Sequence, residues 1–360
     1  MKDPLISVVI PCFRSGRLLE DAIDSVIAQT ERDWELILVD NNASDETREV
    51  IRRYVAKYPE KIRTVHEPEQ GNSSARNRGI LEAKGVYVAL LDDDDMMYPE
   101  RLSLQKELME KYPEASMCHG PVDKVSFENS VVIESSVRNQ DLFIKHGLSH
   151  IGSTLFPCRD LLPSVMFFPK KKAIEVGLFD THFNPIYLED THFCLKMTGS
   201  GSFLETDQAL VRYRLPSSEY LKNKRTDNLR LYRGLLNQDY FFSEIVSLLT
   251  LNDVKIENNI KKELRLWKTR WLREASFNFM TIKGGERVAR LFLRRALSES
   301  PFDFKSFKHY MRSFYTYRKR TKYYGKKEFF EEAITDEISH DFIQKLFNGT
   351  HKCQFCKNNI

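Results

Sequence analysis

The sequence predicts an α/β protein, a doubly wound and mostly parallel sheet followed by a C-terminal helical region. Two observations carry this expectation. From Leu5 to Thr198, β-branched and aliphatic runs of strand length alternate with amphipathic stretches of helical period. After about Pro216 the strand signature is lost, and long stretches with helical spacing follow, rich in Arg, Lys and aromatic residues.

Element by element, Leu5–Ile10 is a β-branched run that ends at Pro11, Leu18–Thr30 is amphipathic, and Trp34–Val39 is a second run ending at Asp40. Together they read as a βαβ unit. Ser44 and Asp45 can cap a helix that runs to Tyr58. Ile62–His66 reads as a strand, Ser73–Ala83 as a helix and Val86–Leu91 as a buried strand. Pro163–Pro169 and Phe203–Tyr213 are expected to be later strands, with helices over Lys171–Val176 and Glu189–Thr198 on either side of a turn at Gly177–Asp180. Stretches 260–279 and 286–297 carry the helical spacing of the second half. The resulting division is a catalytic domain over 1–218, a basic helical accessory region over 219–347 and a mobile tail over 348–360.

A chain of 360 residues exceeds what one ordinary core organises, and 41% hydrophobic with 29% charged residues describes a globular protein. No apolar run approaches the roughly 18 residues of a membrane-spanning helix. Met1–Leu5 lacks the features of a signal peptide, so a cytoplasmic placement is expected. The six cysteines are mostly single and set in apolar stretches, which points to reduced thiols. The net charge of +4 conceals two unlike halves: residues 222–360 hold 29 Lys and Arg against 16 Asp and Glu, and the remainder is net acidic. Such a basic half suits an anionic partner or a set of solvated helix faces.

In open α/β sheets ligands bind beyond the carboxyl ends of the strands. Here those ends carry Pro11-Cys12-Phe13, Asp40–Asp45 and the run Asp92-Asp93-Asp94-Asp95, while a helix opens with Asn72–Asn77. Four successive carboxylates after a buried strand raise one another's pKa, and a divalent metal resolves the conflict. Oxygen ligands of this type suit Mg²⁺ or Mn²⁺. Neither phosphate-binding glycine loop follows the first strand, which disfavours dinucleotide oxidoreductases and P-loop ATPases.

The stretches ISVVIPCF from Ile6, LILVDNNASDET from Leu36, GNSSARNRGILEAKGVYVALLDDDD from Gly71 and VGLFDTHFNPIYLED from Val176 together resemble the family 2 glycosyltransferases, inverting enzymes of GT-A fold. The resemblance covers most of residues 5–214 in the family's order. It implies that Pro11, Phe13 and Asp40 lie around the nucleobase and ribose, with Asp40 accepting a hydrogen bond from a uracil-type N–H, and that Arg76 faces base or diphosphate. Asp92, Asp93 and Asp94 match the family's DXD motif, with Asp94 the direct metal ligand and Asp92 assisting with ribose or metal. Glu189-Asp190 matches the family's acidic pair, whose Asp serves as catalytic base, with Glu189 the competing candidate. The implied donor is a nucleoside-diphosphate sugar, UDP-linked, and the implied acceptor is a carbohydrate or lipid-linked hydroxyl.

Three departures from the family pattern stand out. Leu215 occupies the place where members often carry a metal-binding His, the second acidic residue of the first loop is Asn41, and the Gln-x-x-Arg-Trp signature of processive synthases is missing, so single-sugar transfer is expected. Two other readings share the acidic site: a nucleotidyltransferase making a sugar nucleotide, for which Phe13–Arg17 is a poor triphosphate loop, and a non-catalytic scaffold for glycan assembly. In the second half, aromatics from Phe302 to Tyr317 interleave with basic residues from Lys305 to Lys322. This stretch suits either an anionic membrane interface, which would place the protein at the inner face of the membrane, or packing on the catalytic domain. No recognised nucleic-acid module is present. His351, Cys353 and Cys356, with His340, form an incomplete zinc pattern, the alternative being an unstructured tail.

Overall fold

The computed structural model describes residues 4–127, 132–135, 143–145, 161–184, 188–215 and 286–313, with single positions between 244 and 276. Met1–Ser218 with Glu244–Val254 form one compact unit, and Glu219–Ser243 with Lys255–Ile360 form another. Of the expected helix over 260–279, positions 265, 266, 268, 269, 272, 273 and 276 are described and are helical, whereas most of the basic aromatic stretch beyond Ser313 and the His340, His351, Cys353 and Cys356 set lie outside the described residues.

In the first unit the strands are β1 (Ile6–Cys12), β2 (Trp34–Asp40), β3 (Ile62–His66), β4 (Tyr87–Leu90), β5 (Met96–Met97), β6 (Met117–His119), β7 (Val122–Val125), β8 (Val132–Ser135), β9 (Phe143–Lys145), β10 (Phe167–Pro169), β11 (Phe203–Glu205) and β12 (Val211–Arg214). The helices are α1 (Leu18–Ile27), α2 (Asp45–Lys57), α3 (Asn72–Glu82), α4 (Arg101–Lys111), α5 (Lys170–Glu175) and α6 (Glu189–Thr198). Eight strands form one sheet in the order β3-β2-β1-β4-β10-β6-β11-β9, in which β1 to β4 run parallel to one another while β10 and β9 run antiparallel to their neighbours. The expectation of a mostly parallel sheet is borne out.

Alternation along the strands builds two cores. Ile6, Val8, Ile10 and Cys12 of β1 join Leu36 and Leu38 on one face, where the buried stripe of α1 (Leu19, Ala22, Ile23 and Val26) and Val50, Ile51 and Tyr54 of α2 cover them. Val9, Ile37, Val39, Val88 and Leu90 face the other way, against α3 and the Phe168, Phe179 and Phe193 cluster. Central strands covered on both faces read as near-continuous apolar runs, here interrupted only near their starts by Ser7 and Glu35. Ser44 caps α2 as expected, its hydroxyl accepting from the Thr47 N–H at 3.3 Å.

The sheet order reverses between β1 and β4, which creates the crevice where open α/β sheets bind ligands. β1 does not stop at Pro11, as its sequence suggests, but pairs with β2 through Cys12. With β4 it pairs only as far as Val9, whose carbonyl accepts from the Leu91 N–H at 3.1 Å. By strand alternation Pro11 turns its nitrogen toward β4 and has no N–H to continue that ladder. The two strands part there, and the acidic run follows on the β4 side.

The expected Phe203–Tyr213 strand is two strands. β11 belongs to the main sheet, whereas β12 joins a small second sheet of order β5-β12-β7-β8. Likewise the start of the expected Pro163–Pro169 strand is a single 3₁₀ turn, Pro163–Val165, leading into β10. Both corrections place polar groups beside the acidic run.

α3 lies close on β1 and β2 because Gly79 carries no side chain: a Cβ there would sit 2.2 Å from Cγ1 of Val9. Gly79→Ala is therefore expected to destabilise the protein by about 1–3 kcal/mol through overpacking, read as a lower midpoint in urea with an unchanged slope. A midpoint equal to that of the parent would show that the helix can shift without cost.

Candidate functional site

At the crevice, the acidic run Asp92–Asp95 folds as a turn in which the Asp95 N–H donates to the Asp92 carbonyl at 3.2 Å. Its four carboxylates have different surroundings. Asp92 Oδ1 accepts from Arg76 Nη2 at 2.8 Å. Asp93 Oδ2 accepts from the Phe13 N–H at 2.9 Å, which ties the turn to the end of β1. Asp95 is fully buried, its Oδ1 accepting from the Arg214 N–H at 2.9 Å and its Oδ2 from the Ser164 hydroxyl at 2.6 Å. The Asp94 carboxylate accepts no side-chain hydrogen bond among the described residues.

The backbone under Asp94 is held firmly. Ser164 Oγ accepts from the Asp92 N–H at 3.0 Å while donating to Asp95, and Arg214 Nε donates to the Asp94 carbonyl at 2.9 Å. Arg214, itself buried, also reaches the Phe127 carbonyl and Asp21 Oδ2. Ser164 comes from the 3₁₀ turn and Arg214 from β12, so both sheets converge on the acidic turn. Neither residue is legible in the sequence as a site residue, since only strand pairing brings them there.

Electrostatics follows from this unequal sharing. Burial, followed by the Asp93 and Asp92 charges, pushes the Asp94 carboxyl up to about 7. Burial also raises Asp93 to about 6, against the Phe13 N–H. A half-buried carboxylate that accepts no side-chain hydrogen bond, set beside two others, is a poor resting state without a cation. Among the described residues no group of three His, Cys, Asp or Glu side chains converges as a metal cage. Mg²⁺ and Mn²⁺ do not need one, since they are held by one or two carboxylates together with substrate phosphates. Asp94, with Asp92 beside it, fits such a partial donor set.

Arg76 is 2% exposed and is clamped between carboxylates: Nη2 donates to Asp92 and Nη1 to Glu189 Oε1 at 3.1 Å. Its position reflects α3, which opens at Gly71 with a φ of 151°, where a Cβ would sit 2.1 Å from Asn184 Oδ1. Asn184 in turn accepts from the Ser73 N–H and donates to Ser74 and Glu69. Expected to face base or diphosphate, Arg76 instead has its two terminal nitrogens turned to Asp92 and Glu189, while its Nε lies buried with no hydrogen-bond partner.

Glu189 and Asp190 begin α6 after Leu188, which holds a left-handed φ of 69°, an uncommon conformation for Leu. Glu189 is buried and accepts from Arg76 and, at 3.4 Å, from Asn72. Asp190 is half-buried. Its Oδ1 accepts from the Thr191 N–H at 2.6 Å and the Thr191 hydroxyl at 3.2 Å, and its Oδ2 has no partner among the described residues. Burial and the adjoining Glu189 charge push its carboxyl up to about 7 against the pull of Thr191 and Arg76.

On the other side of β1, burial disfavours charge on Asp40, but hydrogen bonds from Arg48 Nε at 2.9 Å and the Ala43 N–H at 2.8 Å outweigh it and hold the carboxyl below its ordinary range. Phe13 is partly exposed at the mouth, with the Arg14 guanidinium 4.8 Å above its ring. Asn41 explains one departure from the family pattern. Its Nδ2 donates to the Glu67 and Glu69 carbonyls and its Oδ1 accepts from the Gly71 N–H and Gln70 Nε2, so it pins the segment leading into α3. A carboxylate could not donate those two bonds.

The structure thus gathers Asp92, Asp93, Asp94, Arg76, Glu189 and Asp190 around the opening, with Pro11, Phe13 and Asp40 along the carboxyl ends of β1 and β2. Residues 7–154 match the family model described as Glycosyl transferase family 2. TuaG of Bacillus subtilis, named as a teichuronic acid biosynthesis glycosyltransferase, is 38% identical over 107 residues, covering 29% of this chain and 42% of TuaG. An uncharacterized glycosyltransferase of Rickettsia prowazekii is 25% identical over 236 residues, 64% of this chain and 70% of that protein. The matched stretch spans only 14% of the y4gI protein of Sinorhizobium fredii, at 39% identity.

Among solved structures, S. aureus TarS 1–349 in complex with UDP has a TM-score of 0.52 at 16% identity, covering 87% of this chain and 93% of that one. The mannosyltransferase PcManGT from Pyrobaculum calidifontis, in complex with GDP-Man and Mn²⁺, has a TM-score of 0.53 at 14% identity, covering 87% and 85%. At these identities the likeness is one of fold, and the GT-A fold expected from the sequence is borne out.

The raised carboxyls make a test of the site independent of any substrate. A carboxyl whose folded pKa is raised binds its proton more tightly in the folded state, so stability is present at low pH and is lost as pH rises from about 4, the unfolded value, through about 7. The melting temperature of the metal-free protein should fall across that window and recover at pH 8 on adding Mn²⁺. Asp94→Asn should melt higher than the parent at pH 8 without metal and lose most of the response to Mn²⁺. A variant that keeps the full Mn²⁺ response would move the metal away from Asp94.

Proposed function

We propose that the protein, whose residues 7–154 match the Glycosyl transferase family 2 model, transfers a single sugar from a nucleoside-diphosphate sugar to a hydroxyl acceptor with inversion. The donor is UDP-linked and the acceptor a carbohydrate or lipid-linked hydroxyl, in the assembly of a surface polysaccharide or related glycan. The kinship with TuaG and the UDP and UDP-GlcNAc complexes of TarS support the donor and the pathway class, while GDP-Man in PcManGT names the donor to test against it. Catalysis belongs to 1–218, with 219–347 accessory and 348–360 a tail, on the cytoplasmic side and without nucleic acid. Among the described residues no helix is long and apolar enough to cross a membrane.

The observation that carries this reading is the asymmetry of the Glu189-Asp190 pair. Glu189 is consumed by Arg76, whereas Asp190 has one oxygen anchored by Thr191 and the other open, with a carboxyl tuned to about 7. That is the state a general base needs near neutral pH. Asp190 Oδ2 takes the acceptor's hydroxyl proton as the acceptor oxygen forms its bond to the anomeric carbon and the bond from that carbon to the diphosphate breaks on the opposite face. Asp40, Phe13 and Pro11 hold base and ribose. Arg76 positions Asp92 and Glu189, and Asp94 with Asp92 would hold Mn²⁺ or Mg²⁺. When bound, the cation supplies neutralisation of the diphosphate's charge.

Asp190→Asn should lower sugar transfer about 10²- to 10⁴-fold while leaving UDP affinity and melting temperature close to those of the parent. In the parent, kcat should rise with pH through about 7, as Asp190 loses its proton. Glu189→Gln should instead lower the melting temperature, because the neutral amide leaves Arg76 buried with half its charge pairing gone. Near-parental transfer by Asp190→Asn would remove the base assignment. The donor is read by following nucleoside diphosphate release from a panel of nucleotide sugars with Mn²⁺, where UDP release is expected and GDP release alone would replace the UDP assignment.

A further inference from the structure

In the second unit, α7 (Glu286–Glu299) and α8 (Phe304–Arg312) form a helical pair. α7 buries Ala289, Phe292, Leu293 and Ala296 along one stripe, as an ordinary amphipathic helix does. α8 does the reverse. Its inward face carries Ser306 and the Ser313 that follows it, both fully buried, whereas Phe304, Phe307 and Met311, at i, i+3 and i+7, share one outward face with exposures of 81%, 53% and 50%. Phe302, just before the helix, is 88% exposed.

This face is held outward by polar anchors. Asp303 caps the helix, accepting from the Lys305 N–H at 3.2 Å through Oδ1 and from Arg273 and the Ser306 hydroxyl through Oδ2. Arg290 Nη1 donates to the Ser313 carbonyl at 3.2 Å and Arg294 Nε to the Tyr310 hydroxyl at 3.0 Å. Rotating the helix to bury its Phe stripe would break these bonds and put Lys305 or Lys308 toward the interior.

Basic side chains border the stripe on both sides. By helical angle Lys305, Lys308 and Arg312 follow one edge, and Arg294 meets the Tyr310 edge. Residues 286–313 hold seven Lys and Arg against three acids, one of which, Asp303, is already paired with Arg273. Large exposed apolar side chains flanked by cations are the pattern of a helix that lies in a bilayer interface, its aromatics below the headgroups and its cations among lipid phosphates.

We propose that the outward face of α8, led by Phe302, docks on an anionic lipid bilayer. Phe304, Phe307 and Met311 enter the acyl boundary, and Lys305, Lys308 and Arg312 pair with anionic headgroups. The inference rests on α8 alone and stands whether or not the first unit transfers sugar.

The test is co-sedimentation of the full-length protein with vesicles of phosphatidylcholine, or of phosphatidylcholine with phosphatidylglycerol. The parent should pellet only with the anionic vesicles, and less as salt shortens the Debye length below roughly 8 Å. Phe304→Ser, Phe307→Ser and Met311→Ser combined, and separately Lys305→Glu with Lys308→Glu, should each lower the partition coefficient about tenfold or more. Far-UV circular dichroism and melting temperature should stay at parental values, because the altered side chains are exposed. Equal pelleting with neutral vesicles, no pelleting with either, or parental binding by both variants overturns the proposal. Sedimentation velocity supplies a further check: a parental dimer that the apolar variant abolishes would assign the face to a second copy of the chain instead.

Discussion

A guanidinium buried between two carboxylates from distant parts of the chain organises the first unit. Arg76 on α3 joins Asp92, just beyond β4, to Glu189 at the first turn of α6. Burying such a charge is costly unless it is well paired, and either partner alone would leave an uncompensated charge in the interior. The cation is raised above its ordinary pKa because, although burial opposes it, the two carboxylates more than compensate. The three elements therefore hold one another in place, and the acidic turn and the acidic pair of α6 share a common reference point.

Around that clamp the protein distributes its hydrogen-bond donors unevenly. Phe13, Ser164 and Arg214 satisfy the carboxylates and carbonyls that shape the turn, and Thr191 satisfies half of Asp190. Among the described residues, the Asp94 carboxylate in the turn and one oxygen of Asp190 on α6 are left open to other side chains. A local deficit of partners in an otherwise satisfied region is a cost the fold carries, and natural proteins retain such costs where a ligand relieves them.

Much of this arrangement is legible in the amino-acid order. Strand ends show themselves because apolar runs stop at polar residues, so Asp40, the Asp92–Asp95 run and the Glu189-Asp190 start all stand out. Their partners do not. Arg214 lies 119 residues from Asp95 along the chain, and it meets the turn because Phe203–Tyr213 divides between two sheets, a break that no turn residue in that run announces strongly. Ser164 has the local context of a strand and is a 3₁₀ residue instead. Arg76 is recognisable as a site residue but its natural assignment is to the ligand, since sequence shows which charge is present and not which neighbours claim it. Asn41 reads as a departure from a family pattern, and only its four hydrogen bonds reveal an amide required for its own sake.

The proline in β1 has a consequence for how the site meets its ligand. Two parallel strands side by side tend to zip together as far as their backbones allow, and a crevice between them would close in the absence of an occupant. Pro11 removes the donor for the next rung, so the gap is written into the covalent chain and does not wait for a molecule to wedge it apart. Binding then spends little of its free energy on prising the sheet open, and more of it remains to discriminate one occupant from another.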